Sequence, residues 1–275
     1  MEPSPGGRTS EFCACYGSIV FSGRAMPLPA QFIRLVATGL SPVARATRAV
    51  RLMEQKWLLP RSKAVISVMG SHDHADAHHL VLTEAARTAV STGLARAAVA
   101  TNAWVVTAGS ECGASGLVGR ALAEHDANHS GTSLGVSTHL VGVTSWSRVA
   151  GREALEGCRG GEIKLPSSAR REEAARGNVG LDRYHTHFFL VDEDAQSGYV
   201  AGSELPVRFH LEEEYARCCA IHIGVAVPHL AVVIGGGPRV LTGIVEALQA
   251  NCHVVLVSDS GGAAEAIFEY VVNGA

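Results

Sequence analysis

The chain has 275 residues, 47% of them hydrophobic and 18% charged, with a formal net charge of −3. That is a globular composition, long enough for one sizeable α/β domain with a real core. Acids and bases are interspersed, so no basic face is offered to nucleic acid or to an anionic membrane surface. Seven cysteines form no disulfide framework, which points to a reducing compartment.

Residues 1–12 read as a flexible tail, without the basic and apolar regions of a secretory signal. Residues 13–60 read as an N-terminal extension packed on the core, with a helix over Val43–Trp57 that Pro60 stops. From residue 61 to 275 the punctuation becomes regular. The apolar run Ala64–Val68 predicts a buried strand, and the apolar spacing over Leu80–Ala100 predicts a helix. A strand at Ala103–Thr107 and a helix at Ala114–Glu124 follow, then strands at His139–Thr144 and His187–Val191. The charged stretch between those two strands, about residues 148–180, reads as a long surface excursion. Leu205–Ala220 predicts a helix whose Glu212, Glu213 and Glu214 form a solvated face. A strand at His229–Ile234, a helix at Val240–Ala250, a strand at Cys252–Val257 and a helix at Gly262–Val272 complete the pattern. The longest apolar stretch, near Ile221–Ile234, is broken by His222, Pro228 and His229. It falls short of the ~20 apolar residues that a membrane helix needs, so no direct membrane insertion is expected.

Repeated strand, glycine turn and helix, with strands apolar throughout, predict an α/β fold: a doubly wound, mainly parallel Rossmann-like sheet. Ligands of such sheets bind at the carboxyl ends of the strands. Four turns are placed there: Gly70-Ser71; Thr107-Ala108-Gly109-Ser110 with Gly113; Gly235-Gly236-Gly237-Pro238; and Ser258, Ser260 and Gly261. Glycine admits close approach of a phosphate, free N–H groups point at it, and hydroxyls add donors. None of these turns is a G-x-G-x-x-G or Walker A motif, so neither an NAD fingerprint nor an ATPase is supported. Glycine also ends strands for purely structural reasons, and that alternative stands beside the phosphate reading.

Residues 72–79 include His72, Asp73, His74, Asp76, His78 and His79, which are metal-friendly types without standard ligand spacing; a solvated loop is the expectation and no metal site is assigned. His185 and His187, at alternating positions, are expected on one side of a strand in a hydrogen-bonding role. No G-x-S-x-G elbow exists and no convincing catalytic set is found. An enzyme would need a carboxylate near a ribose, for which Glu111, Asp192 and Glu193 are the candidates.

Several segments resemble, in order, the N-terminal homology region of melastatin-type TRP cation channels, a Rossmann-like SLOG-type domain. They include Ala64–Gly70, Ala103–Ser110 with Gly113 and Gly119, Val143–Trp146 with Arg152, and Leu181–Asp192. Leu205–Glu212, Val232–Pro238 and Val254–Gly261 continue the series. The resemblance covers roughly residues 13–272. It implies a cytosolic sensing region of a channel that binds ADP-ribose or a related nucleotide, with no further cofactor. Its partners would be the remainder of a channel subunit or like subunits. By motif position the pyrophosphate would sit near Thr107–Gly113 and Gly235–Pro238. Arg152 and Arg208 would be its cationic partners, with Ser145, Trp146 and Asp192 nearby. Two departures stand out: Ala108 replaces the first glycine of the family's Thr-Gly-Gly turn, and Arg239-Val240 replaces a Gly-Thr. The second removes a hydroxyl but adds a cation. A structural assembly domain without nucleotide is the alternative reading. A phosphoribohydrolase-like enzyme is a third, because that group's P-G-G-x-G-T-x-x-E pattern fails here.

Overall fold

The computed structural model describes residues 13–22, 29–37, 39–71, 80, 82–129, 138–165, 178–193 and 202–274. Nine strands build one sheet: β1 (Cys13–Phe21), β2 (Ala30–Leu35), β3 (Ala64–Gly70), β4 (Ala103–Thr107), β5 (His139–Ser145), β6 (Arg159–Leu165), β7 (His187–Val191), β8 (His229–Ile234) and β9 (His253–Val257). Their spatial order is β6-β1-β2-β7-β5-β4-β3-β8-β9. Every pairing is parallel except β1 with β2. The expected doubly wound sheet is therefore present.

The helices begin and end where local chemistry dictates. Helix α1 (Pro42–Lys56) has Ser41 as its cap, whose hydroxyl accepts from Ala44 N, and Pro42 in its first turn. Helix α2 (Glu84–Thr88), capped by Thr83, passes through a π segment (Ala89–Leu94) into α3 (Ala95–Ala100). Helix α4 (Gly113–His129) follows β4, and α5 (Leu205–Ile223) ends on Gly224 at φ 77°. Helices α6 (Pro238–Gln249) and α7 (Gly262–Asn273) follow β8 and β9.

Both sheet faces are covered, which explains the uninterrupted apolar strands. Helices α1 and α5 lie over Val65, Trp104 and Phe189. The α2–α4 layer lies over Ile66, Val105 and Leu140 on the other face. Residues 13–60 contribute more than a packed extension: β2 pairs directly with β7, and β1 carries the sheet onward. The charged stretch around 148–180 contains β6, an edge strand paired with β1, besides two short 3-10 turns. Strand β6 was invisible to periodicity because its edge position leaves nearly all its residues exposed. Among the described residues no helix is long and apolar enough to cross a membrane.

Candidate functional site

From β3 the chain winds outward through β4, β5 and β7, then returns to β8 on the other side of β3. The carboxyl ends of β3 and β8 therefore flank the topological switch point, where doubly wound sheets form their ligand crevice. A small crevice, about 30 Å³, lies there; Gly70, Ala108, Glu204, Arg208, Arg239 and Val240 are among its lining residues. Its glycines are held by packing. A Cβ on Gly70 would strike the Ile234 carbonyl and Ala114, and one on Gly236 would lie 2.5 Å from the Val240 side chain. Gly113, at φ 59°, leaves room for the Ser71 carbonyl, which accepts from Ala114 N at 2.9 Å. Val240, one of the two departures from the family motif, thus sits where it requires Gly236 and narrows the crevice.

Arg208 is buried at the base of this crevice. Its Nε donates to Glu212 Oε1 at 2.9 Å, and Nη2 donates to Ser67 Oγ and Val68 O, both at 2.9 Å, and to Val106 O at 3.0 Å. The β3–β4 ladder stops at Ser67↔Val106, so Arg208 gathers carbonyls where the two strands diverge. Glu212 is fully buried, which corrects the expectation of a solvated helix face. Its Oε1 also accepts from Ser67 Oγ at 2.9 Å, and its Oε2 lies 3.0 Å from His229 Nε2. Burial alone would raise its carboxyl, but the Arg208 guanidinium and His229 hold it below the usual carboxylate range. Burial likewise opposes charge on His229, but Cys252 and Glu212 beside it push it up to about 10. Of the three acids only Glu213, the next residue along and about 100° round the helix, keeps a largely exposed side chain.

Thr107 belongs to a buried relay. Its Oγ1 lies 2.7 Å from His185 Nε2 and accepts from Gly109 N at 2.9 Å, while His185 Nδ1 lies 2.8 Å from Asp182 Oδ2. Asp182, His185 and Thr107 form one continuous buried hydrogen-bonded chain. His185 thus has the hydrogen-bonding role expected of it, but it does not share a side with His187. It stacks on Phe188, whereas His187 packs with Phe189 against Trp57. His185 precedes the strand, so the two-residue alternation does not apply to it. Ser110 is also engaged, donating to Cys112 O at 3.1 Å.

A second group gathers at the carboxyl ends of β2, β5 and β7. Arg34 donates to both Asp192 oxygens, at 2.8 and 3.1 Å, and lies 4.0 Å over the Trp146 ring. The Ser145 hydroxyl lies 3.1 Å from that of Ser147, which donates to Glu193 at 2.7 Å; Arg152 donates to the Ser147 carbonyl. This group lies two to four strands from β3, roughly 10–19 Å along the sheet edge. Trp146, Arg152 and Asp192 are therefore brought together with one another and kept apart from Arg208. A third group joins β8 to β9: buried Ser260 accepts from Gly235 N at 2.7 Å, and Ala263 N donates to Gly236 O at 2.7 Å. Gly261 closes that turn at φ 75°, while half-buried Ser258 donates to Asp259 Oδ1 at 2.7 Å. Arg34, Asp182 and Glu204 were not anticipated. Arg34 lies near the end of β2, Asp182 in the loop before β7 and Glu204 just before α5, and nothing local to any of them marks a tertiary partner. Among the described residues no group of His, Cys, Asp and Glu is arranged to hold a metal; residues 72–79 lie outside them.

Fold and crevice together define the class: a doubly wound α/β domain with a small, largely apolar cleft at its switch point, lined also by Glu204, Arg208 and Arg239. The family described as "SLOG in TRPM" matches residues 30–273, and the chain belongs to it. The chain is 31% identical over 255 residues to Transient receptor potential cation channel subfamily M member 2 of Rattus norvegicus, covering 92% of this chain and 16% of that protein. It is 30% identical over 259 residues to subfamily M member 7 of Homo sapiens, covering 93% of this chain and 13% of that protein. To the member-like 2 protein of Nematostella vectensis it is 29% identical over 258 residues, with 92% and 16% covered. The chain thus spans about a sixth of these relatives' length or less.

Proposed function

We propose that this domain is a cytosolic ligand-sensing module of a melastatin-type cation channel and that it holds ADP-ribose or a related nucleotide diphosphate at the switch point. The observation that carries this reading is the convergence of Arg208, Arg239 and the first turn of α6 on one crevice between β3 and β8. Two guanidinium groups and the positive end of a helix attract a diphosphate, with Arg239 and the remaining Nη1 of Arg208 as its donors. Leu205, Val240 and Arg239 would move apart to admit it, so ligand would favour an open form over the closed one. No reaction is assigned. The buried Asp182–His185–Thr107 relay is hydrogen-bonded among its own members, and Arg208 holds the sheet rather than a reacting atom.

An assembly domain that packs channel subunits without a nucleotide is the second reading. Exposed apolar side chains at the β9 end favour it: Leu241, Val245 and Leu248 on α6, with Phe268, Val271 and Val272 on α7. Isothermal calorimetry with ADP-ribose, cyclic ADP-ribose, ADP, AMP and NAD separates the readings, with each ligand checked for hydrolysis afterwards. Micromolar binding of one intact diphosphate is expected. Silence across the panel would favour assembly, and a degraded ligand would favour an enzyme.

A further inference from the structure

Among the described residues, Glu204 Oε2 is a buried polar atom on this crevice without a hydrogen-bond partner, and Ser71 Oγ, beside the lining Gly70, is another such atom. Glu204 is 8% exposed, lines the crevice directly and precedes the first turn of α5. Ser71 follows Gly70 at the end of β3. A buried acceptor without a donor is costly, so natural folds rarely leave one unless something else supplies the proton.

The chemistry of that supplier is restricted. A carboxylate only accepts hydrogen bonds and repels a phosphate placed against it. A cationic amine would meet Arg208 and Arg239 in the same small space. A neutral donor next to an anion satisfies both demands, and a sugar hydroxyl attached to a phosphate is such a donor. Dinucleotide sites of doubly wound sheets use an acidic side chain on ribose in this way.

We propose that Glu204 reads ribose hydroxyls of the ligand and so selects a nucleotide diphosphate by its sugar. This inference rests on the nucleotide reading above and adds to it the residue that sets specificity. The arginines supply attraction that any diphosphate shares, whereas Glu204 distinguishes a ligand with hydroxyls in its reach from one without them.

The test is calorimetry of the whole chain and its Glu204→Gln variant with three probes: ADP-ribose, 2′-deoxy-ADP-ribose, and ADP, which lacks the second ribose. The wild type is expected to bind ADP-ribose at least about tenfold more tightly than one of the other two, the scale of a charge-assisted hydrogen bond. In Glu204→Gln that preference collapses while the weaker probe keeps its affinity. The thermal midpoint should hold or rise, because a buried carboxylate oxygen without a donor has been exchanged for a neutral amide. Equal affinity of the wild type for all three probes would overturn the inference without any variant and leave the nucleotide reading standing. So would a preserved preference in Glu204→Gln, with or without a lowered midpoint. Failure of the wild type to bind any probe would overturn the nucleotide reading and this inference with it.

Discussion

A guanidinium that is 2% exposed must be matched by fixed acceptors, and Arg208 has a carboxylate, a hydroxyl and two carbonyls around it. The sequence resemblance implied a phosphate clamp at this position. Its geometry makes it first a strut among β3, β4 and α5, with only its crevice side left for a ligand. Arg208→Met should therefore destabilise the domain by about 3–5 kcal/mol, because Glu212 would be left buried beside a lost partner. Urea unfolding measures this, and a loss under 1 kcal/mol, the ordinary scale of a surface pair, would show that the pair is not holding the strands. Nucleotide affinity of that variant is meaningful only at a temperature where it stays folded.

Two histidines at opposite ends of the pKa range couple single strands to pH. His187 on β7 packs against Trp57 and faces His139 on β5; burial, then the neighbouring imidazole, brings it down to about 3. Its folded value lies below its unfolded one, so the unfolded chain binds more protons between about pH 3 and 6.5. Stability from this site is present above 6.5 and is lost as pH falls toward 3. His229 on β8 faces Glu212 of α5 and Cys252 before β9, and its value is raised to about 10. Its contribution is full below pH 6.5 and is lost as pH rises toward 10. Thermal midpoints across pH 4–9 should show His187→Phe flattening the acid limb and His229→Gln flattening the alkaline one. An unchanged acid limb in His187→Phe would mean that the imidazole is not buried neutral.

For the whole molecule, the N-terminal residues decide whether the sheet has an acceptable edge. Strand β2 covers β7, and α1 brings Ala46, Ala49, Val50 and Met53 into the same core as Trp104 and Phe189. Removing residues 1–60 would expose β7 as a long apolar edge beside a stripped helix layer, a configuration that aggregates. The truncated chain is expected to be insoluble or to bind a hydrophobic dye strongly. A monomeric, cooperatively unfolding product would show that residues 61–275 form a self-sufficient unit.

Strands made of an unbroken apolar run were legible in the amino-acid order. Strands Ala103–Thr107, His187–Val191 and His229–Ile234 coincide with their expected bounds, since an apolar run between turn residues has no other use in a doubly wound sheet. Glycine turns at the strand ends were equally plain, as was the family, because motifs keep their order along the chain. Their purpose was not. Gly70 yields to Ile234 and Ala114, which are distant in sequence, and Gly236 yields to Val240 in the first turn of α6. Strand β6 escaped detection because its exposed edge position gives it no apolar pattern, whereas β1 and β2 bury Ile19, Phe21, Phe32, Ile33 and Leu35 but have their apolar runs interrupted by Ser18, Gln31 and Arg34. Glu212 reads as one acid among three, and only the packing of α5 on β3 encloses it with Arg208 and His229. By itself the sequence determined a parallel α/β domain of the melastatin type and the strand ends where a ligand would lie. Tertiary structure alone decided which polar side chains are spent on holding the sheet and which, like Glu204, keep an atom unmatched, because a side chain's partners come from the whole fold.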